Sequence, residues 1–341
     1  MALVYVLYAL MTIQGILLAL YFTGKGYVIG MIWEIACVIL RVWLYVFESA
    51  MKWIFPPQRK NIRGEIALVT GAASGIGRLI ALGLAAKGCK LVIWDVNGDG
   101  LEVVAKEIEA ADGVVHSYKC NLRDRKEISK TAEKVKEEMG EVSLLINNAG
   151  IVTGKKFMDC CDEEISATID VNILSHFWTI KEFLPSMFQQ NRGHIVSIAS
   201  IAGYTGLAGA VDYCSSKFAA VGLMEALRQE LLSQKKNGIQ LTTVCPSLIT
   251  TGMFDGVRFR FPNLVGFGTL TPQYAASKVI DAIEKNQIHL TMPRGAYLST
   301  ALQHILPERA TDLLLAFLGA DVAMNTFTGW QKNDINDEMR S

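Results

Sequence analysis

A tyrosine four residues ahead of a lysine can move a proton. A phenol ordinarily keeps its proton to about pH 10. A lysine one helical turn away places an ammonium beside the phenolate and favours ionisation. Given a second hydroxyl to hold the substrate oxygen, such a phenol can take the proton of an alcohol while its carbon loses a hydride. The chain has three pairs with this spacing: Tyr21/Lys25, Tyr213/Lys217 and Tyr274/Lys278. Tyr21 lies in an uncharged apolar segment. Tyr274 follows "TLTP" at the start of a helix near a sheet edge and reads as part of a capped surface helix. Only Tyr213 has a strand end in reach, because "HIVSIAS" finishes at Ser200, thirteen residues earlier. Ser200 is expected to hydrogen-bond the substrate oxygen, Tyr213 to act as acid/base, and Lys217 to lower the phenol's pKa.

A second constellation supplies a place for a hydride acceptor. "TGAASGIG" (70–77) follows an apolar strand and opens a helix, with glycines at Gly71, Gly75 and Gly77. Glycine permits the tight turn and lets backbone N–H groups approach a pyrophosphate at a helix N-terminus. Asp95 ends the next strand, eighteen residues beyond Gly77. A carboxylate there can accept both hydroxyls of an adenosine ribose and repels a 2′-phosphate. Ser74, before Gly75, is not basic. Both positions favour NAD over NADP.

These residues need a scaffold that brings strand ends together. From residue 64, short apolar runs alternate with helical periods. The runs are 66–70, 90–95, 114–120, 143–148, 194–200, 239–246 and 288–293; the helical patterns are 76–88, 99–111, 126–139, 162–189, 212–236 and 272–286. This alternation predicts an α/β fold, a single Rossmann-type doubly wound parallel sheet of seven strands over residues 62–295. A C-terminal apolar helical extension with a polar tail is expected over 296–341. His194 reads as a surface or capping residue and Cys214 as packing.

The front of the chain differs. Residues 1–24 carry no charge, and about 20 apolar residues can span a bilayer. A second apolar stretch, 27–55, bears Glu34, Arg41 and Glu48 on one face. It suits an interfacial helix, a hairpin with the first segment, or a tilted span. Arg59, Lys60 and Arg63 after Pro56 and Pro57 argue that the following domain faces the cytoplasm. Residues 1–57 are therefore expected to form a membrane-anchoring segment. The chain is 51% hydrophobic, and its 33 basic and 33 acidic residues cancel, so no basic field points to nucleic acid. Seven cysteines without a CxxC suggest neither a zinc site nor a disulfide framework.

The GxxxGxG spacing resembles the short-chain dehydrogenase/reductase family. "NNAG" (147–150), "CNL" (120–122) and "CPSLITTGMF" (245–254) fit that resemblance. It implies that Ser74 and Ile76 join the glycines in holding NAD, and that Asn121 and Leu122 hold the adenine. It implies that Asn148, Ala149 and Gly150 approach the adenosine, and that Pro246, Ile249 and Thr251 clamp the carboxamide. It implies that Lys217 bonds the nicotinamide ribose, and that Asn172 in "DVNILSHFW" supports a proton relay. Within the family, "GIVTGKKFMDC" and "DYCSSKFAAVGLMEAL" resemble the membrane-bound retinol dehydrogenases, with 17β-hydroxysteroid dehydrogenases as near relatives.

That group implies a lipophilic alcohol, all-trans-retinol oxidised to all-trans-retinal, at the endoplasmic reticulum membrane or a lipid droplet. It also implies a homodimer through the helices carrying Asn172 and Tyr213. The apolar "GMFDGVRFRFPNLVGFGTLTP" after Thr251 fits a lid over such a substrate. A hydroxysteroid or other long-chain alcohol is the alternative substrate. A lipid-surface scaffold that binds NAD without catalysis is the alternative of another class.

Overall fold

The computed structural model describes residues 12, 14, 15, 26–55, 58–261 and 268–329. The rest of the uncharged first segment, including Tyr21, together with Lys25, Pro56 and Pro57, the lid residues 262–267 and the tail from 330, lies outside them. The chain divides into two compact units, Met1–Gln58 and Arg59–Ser341.

In the first unit, α1 (Gly26–Ile54) is one helix of 29 residues. Residues Gly30–Met51 are long and apolar enough to cross a membrane, and none of that stretch is buried. At 1.5 Å per residue, α1 is about 44 Å long, more than a hydrocarbon core requires. Trp43 and Phe47 are among its exposed side chains.

In the second unit, β1 (Ile66–Thr70), β2 (Lys90–Asp95), β3 (Val114–Lys119), β4 (Leu144–Asn147), β5 (Gly193–Ile198), β6 (Ile239–Pro246) and β7 (His289–Met292) form one sheet. The order is β3-β2-β1-β4-β5-β6-β7, and every pairing is parallel. Central strands are largely apolar because both faces are covered: β4 is buried at every residue, whereas edge strand β3 has only exposed and half-buried residues. Helices α2 (Gly75–Ala86), α3 (Gly98–Glu109) and α8 (Pro272–Glu284) pack one face around Ile80, Val104 and Val279. Helices α4 (Arg125–Glu138), α6 (Ser175–Gln190) and α7 (Val211–Ser233) pack the other around Phe183, Ile128 and Met224. The doubly wound seven-stranded architecture expected from the alternation is thus present.

Three local findings differ from expectation. The pattern over 162–189 is not one helix: α5 (Asp162–Ile169) and α6 are joined by a π-helical turn, Asp170–Leu174. Apolar periodicity cannot register one widened turn, and this one carries Asn172. His194 is neither exposed nor a cap. It is 2% exposed and lies between Lys60 Nζ at 2.7 Å and Thr242 Oγ1 at 2.8 Å. Burial and the neighbouring Lys60 hold its imidazole well below the usual range, and burial brings Lys60 down to about 8. Arg59 pairs with Asp281 at 2.7 Å and Glu284 at 3.2 Å. Much of the basic cluster therefore binds its own domain.

Finally, α9 (Ala296–Ile305), α10 (Glu308–Leu318) and the short turn Ala323–Thr326 belong to this unit. Leu298, Ile305 and Leu313 on these helices are exposed.

Candidate active site

The carboxyl ends of β1, β2, β4, β5 and β6 open onto a cleft of about 460 Å³. Gly71, Ser74, Gly75, Ile76, Gly77, Asp95, Asn121, Leu122, Asn148, Ala149, Gly150, Ser200, Tyr213, Lys217, Pro246, Ile249 and Thr251 all line it. Of the site residues chosen from the sequence, only Asn172 does not.

At one end is the glycine loop. Gly71 and Gly75 have φ of +64° and +55°, which side chains rarely adopt. Gly77 is needed for a different reason: a Cβ there would lie 2.0 Å from Gly71 O and 2.4 Å from Asn148 Nδ2. Asn148 anchors the loop, its Nδ2 donating to Thr70 O at 2.9 Å and Gly71 O at 3.1 Å. Asp95 faces the loop from β2. Its Oδ2 accepts from the Ala73 N–H at 2.9 Å and its Oδ1 from the Asn97 N–H at 3.0 Å. Burial pushes its carboxyl above the usual range, with the backbone hydrogen bonds opposing. Asn121 Oδ1 already accepts from the Arg123 N–H at 3.0 Å, which holds the turn after β3. Its side chain thus has one fewer acceptor lone pair for an adenine than the sequence suggested.

Gly77→Ala is expected to abolish dinucleotide binding and to cost about 1–3 kcal/mol, because backbone stands where the methyl would go. Equilibrium titration with the dinucleotide and thermal unfolding check both effects.

At the other end are Ser200, Tyr213 and Lys217. Ser200 caps the turn after β5 by accepting from the Ala202 N–H at 3.1 Å, and donates to Pro246 O at 3.4 Å. Tyr213 stands on the first turn of α7, one turn from Lys217. The Lys217 Nζ lies 5.6 Å from the Tyr213 ring centre and donates to Ile198 O at 2.8 Å. Burial pushes the phenol above its ordinary value, and the Ser200 hydrogen bond opposes that shift. Burial also brings Lys217 down to about 8. The expected depression of the phenol by its lysine is not found: burial dominates, and the Ser200 hydrogen bond is what opposes it.

Asn172 is fully buried behind this group. Its Oδ1 accepts from the Ile151 N–H at 2.8 Å, and its Nδ2 donates to Ile151 O at 2.9 Å and Ser216 Oγ at 3.0 Å. A Cβ on Gly150 would stand 3.4 Å from Asn172 Oδ1 and 3.5 Å from Lys217 Nζ, so the glycine leaves space between them.

Beyond Tyr213 the cleft is apolar. Phe254 meets the Tyr213 ring edge-on at 5.4 Å. Val152, Leu207, Met253, Val257, Phe259 and Met324 continue the wall. Sequence reasoning named no individual wall residue; Met253, Phe254, Val257 and Phe259 fall in its apolar lid. Leu207 and Met324 carry no local signal. Tyr274 is 42% exposed on α8 and absent from the cleft, and Thr271 caps its helix. No group of three or more potential metal ligands occurs among the described residues.

Residues 65–259 match the family model for short chain dehydrogenases. Epidermal retinol dehydrogenase 2 of Mus musculus is 45% identical over 292 residues, covering 85% of this chain and 93% of that protein. Retinol dehydrogenase 10 of Rattus norvegicus is 39% identical over 321 residues, covering 87% and 94%. Among solved structures, a short-chain dehydrogenase/reductase from Burkholderia phymatum in complex with NAD has a TM-score of 0.65 at 25% identity, covering 75% of this chain and 96% of that one. A metagenomic short-chain oxidoreductase in complex with NADP has a TM-score of 0.58 at 28% identity, covering 68% and 97%. With the family model spanning the sheet and the cleft, and relatives matching over most of its length, the chain belongs to the short chain dehydrogenase family.

Proposed function

We propose that this chain is a membrane-associated oxidoreductase that uses NAD to oxidise a lipophilic alcohol, all-trans-retinol to all-trans-retinal. The observation that carries the reading is one cleft with a glycine loop and a carboxylate at one end, and Ser200, Tyr213 and Lys217 against an apolar wall at the other. The names of the relatives, retinol dehydrogenases at 39–45% identity, support the substrate.

The residues fit a dinucleotide. Gly71 and Gly75 form a side-chain-free cradle at the N-terminus of α2, which favours a pyrophosphate. Asp95 would take the adenosine ribose, and Asn121 and Leu122 would flank the adenine. Asn148 holds the loop, Ala149 and Gly150 would lie along the adenosine, Lys217 would bond the second ribose, and Pro246, Ile249 and Thr251 would hold the carboxamide. Bound NAD supplies the acceptor for the hydride leaving the carbinol carbon. Ser200 donates to the alcohol oxygen, and Tyr213 takes the hydroxyl proton as the C=O bond forms. Lys217 stabilises the phenolate electrostatically. Asn172 holds the backbone of Ile151 and the space beside Gly150, through which a proton can reach solvent.

The apolar stretch of α1 supports membrane association; the location proposed is the endoplasmic reticulum or a lipid droplet, with the catalytic unit facing the cytoplasm. A homodimer would use α6 and α7, which leave Phe177 and Phe218 exposed.

Membranes bearing the chain, supplied with retinol and NAD, are expected to yield retinal. The same membranes should turn over a hydroxysteroid at least tenfold more slowly. Faster steroid turnover would replace the substrate, and no turnover with any alcohol would sink the reading.

The pH dependence follows from the two shifts. The phenol is raised, so its ionised fraction grows through neutral and alkaline pH. Lys217 is charged below about 8 and loses that charge above it. The oxidative kcat/KM is therefore expected to climb nearly tenfold per pH unit from 6 and to bend near 8. In Lys217→Met the bend disappears. Because kcat/KM reports the free enzyme, rates at low substrate across pH 6–9 are the measurement.

A further inference from the structure

Most of the apolar wall comes from the family segment 65–259, but Met324, which also lines it, lies outside that segment. Met324 belongs to a strap, residues 323–329, a short turn followed by non-helical chain. The strap is joined to the loop after β6 by backbone. The Arg258 N–H donates to Ala323 O at 3.2 Å, and the Thr328 and Gly329 N–H groups donate to Asp255 O at 2.8 and 3.1 Å. The Thr326 hydroxyl donates to Gly256 O.

Three glycines on three separate loops receive this strap. At Gly154 (φ +67°) a Cβ would lie 2.1 Å from the Phe327 ring. At Gly209 (φ +78°) it would lie 2.9 Å from Met324 Cβ. At Gly256 (φ +84°) it would lie 2.0 Å from Thr326 O. Each position has both the left-handed backbone and the missing side chain that close approach requires. A loosely laid tail would need none of these. Met324 is buried in a cluster with Val152, Ala202 and Tyr213, and it lines the cleft.

We propose that the strap is a built end wall of the substrate pocket and that Met324 determines which apolar alcohols reach Tyr213. The inference rests on the alcohol-oxidising reading of the cleft and goes on to name the residue that sets its reach. Methionine suits the role because its flexible thioether packs against irregular apolar shapes. Removing it lengthens the pocket, and filling the position with an indole shortens it. Loss or gain of a few carbons of fit shifts discrimination by about tenfold or more.

The test uses the full chain in membranes with NAD and a series of straight-chain primary alcohols plus retinol. In Met324→Ala the ratio of kcat/KM for long over short alcohols is expected to rise about tenfold. In Met324→Trp it should fall by a similar factor, with the Kd for NAD unchanged in both. Gly256→Ala, which forces a methyl into the strap, should flatten the dependence on length; retained NAD binding shows that it folds. Ratios within twofold of the unaltered chain in all three variants would overturn the proposal. If the unaltered chain oxidises no alcohol, the catalytic reading falls by itself. Equilibrium binding of the same alcohols then decides on the strap: a ranking shifted by the variants supports it, and an unmoved one overturns it.

Discussion

Tyr213→Phe is expected to lower kcat for alcohol oxidation by a factor of about a thousand or more and to leave the Kd for NAD within threefold of its original value. The phenyl ring keeps the contact with Phe254 at 5.4 Å and the packing against Met324 and Val152. What it removes is the phenolic oxygen hydrogen-bonded to Ser200 beside the apolar wall. General acid–base catalysis contributes about 10²–10⁴ in rate. The lost hydroxyl leaves Ser200 one hydrogen bond short, at a stability cost of about 1 kcal/mol. Activity and stability therefore separate. A single-turnover assay with saturating NAD, beside a thermal melt, reads both. If more than a tenth of the turnover survives, Tyr213 is not the group that handles the proton. If a cellular effect persists while turnover vanishes, the NAD-binding scaffold reading takes its place.

The corresponding change at Lys217 should be milder in kcat and stronger in cofactor affinity. Its ammonium is held by Ile198 O rather than by the phenol. That geometry makes its support for the phenolate one of field rather than contact.

Much of the site was legible because its parts are tied to chain direction. Parallel strands separated by helices must bring their carboxyl ends to one edge, so residues ending successive apolar runs, such as Asp95, Asn148 and Ser200, converge whatever lies between them. The choice of Tyr213 over Tyr274 rested on that rule, on the capped surface helix read at Tyr274 and on the family resemblance, and the cleft holds the first and excludes the second. What stayed hidden depends on contacts distant in sequence. The widened turn at Asn172 breaks a helix that periodicity reads as continuous. His194 opens a strand, where polar residues are ordinary, and only the return of Lys60 and Thr242 buries it. Met324 reaches the cleft from more than a hundred residues beyond Tyr213, and the glycines that receive its strap look like common turn residues until the backbone torsions are known.

Asp95→Asn is expected to collapse a preference for NAD over NADP from about a thousandfold to below about thirtyfold. Solved structures of comparable similarity hold either dinucleotide, so the fold alone does not set the proposed preference, and the charge at Asp95 is its expected source. Two like charges about 4 Å apart repel by about 4 kcal/mol at an effective dielectric of 20, which corresponds to about three orders of magnitude. The amide removes the charge at nearly the same volume. It also presents an NH₂ to one of the two backbone amides, Ala73 or Asn97, that the carboxylate now accepts from. That mismatch costs about 1–3 kcal/mol of stability and weakens both dinucleotides alike, so the ratio isolates the charge. Burial supplies an internal control, since the carboxyl is held above its usual range and is neutralised earlier as pH falls. The selectivity of the unaltered chain should therefore narrow on acidification, while that of the variant stays flat. Titration of both dinucleotides at neutral and mildly acidic pH measures the two slopes. Equal selectivity in the two proteins at neutral pH would mean that discrimination lies elsewhere in the cleft.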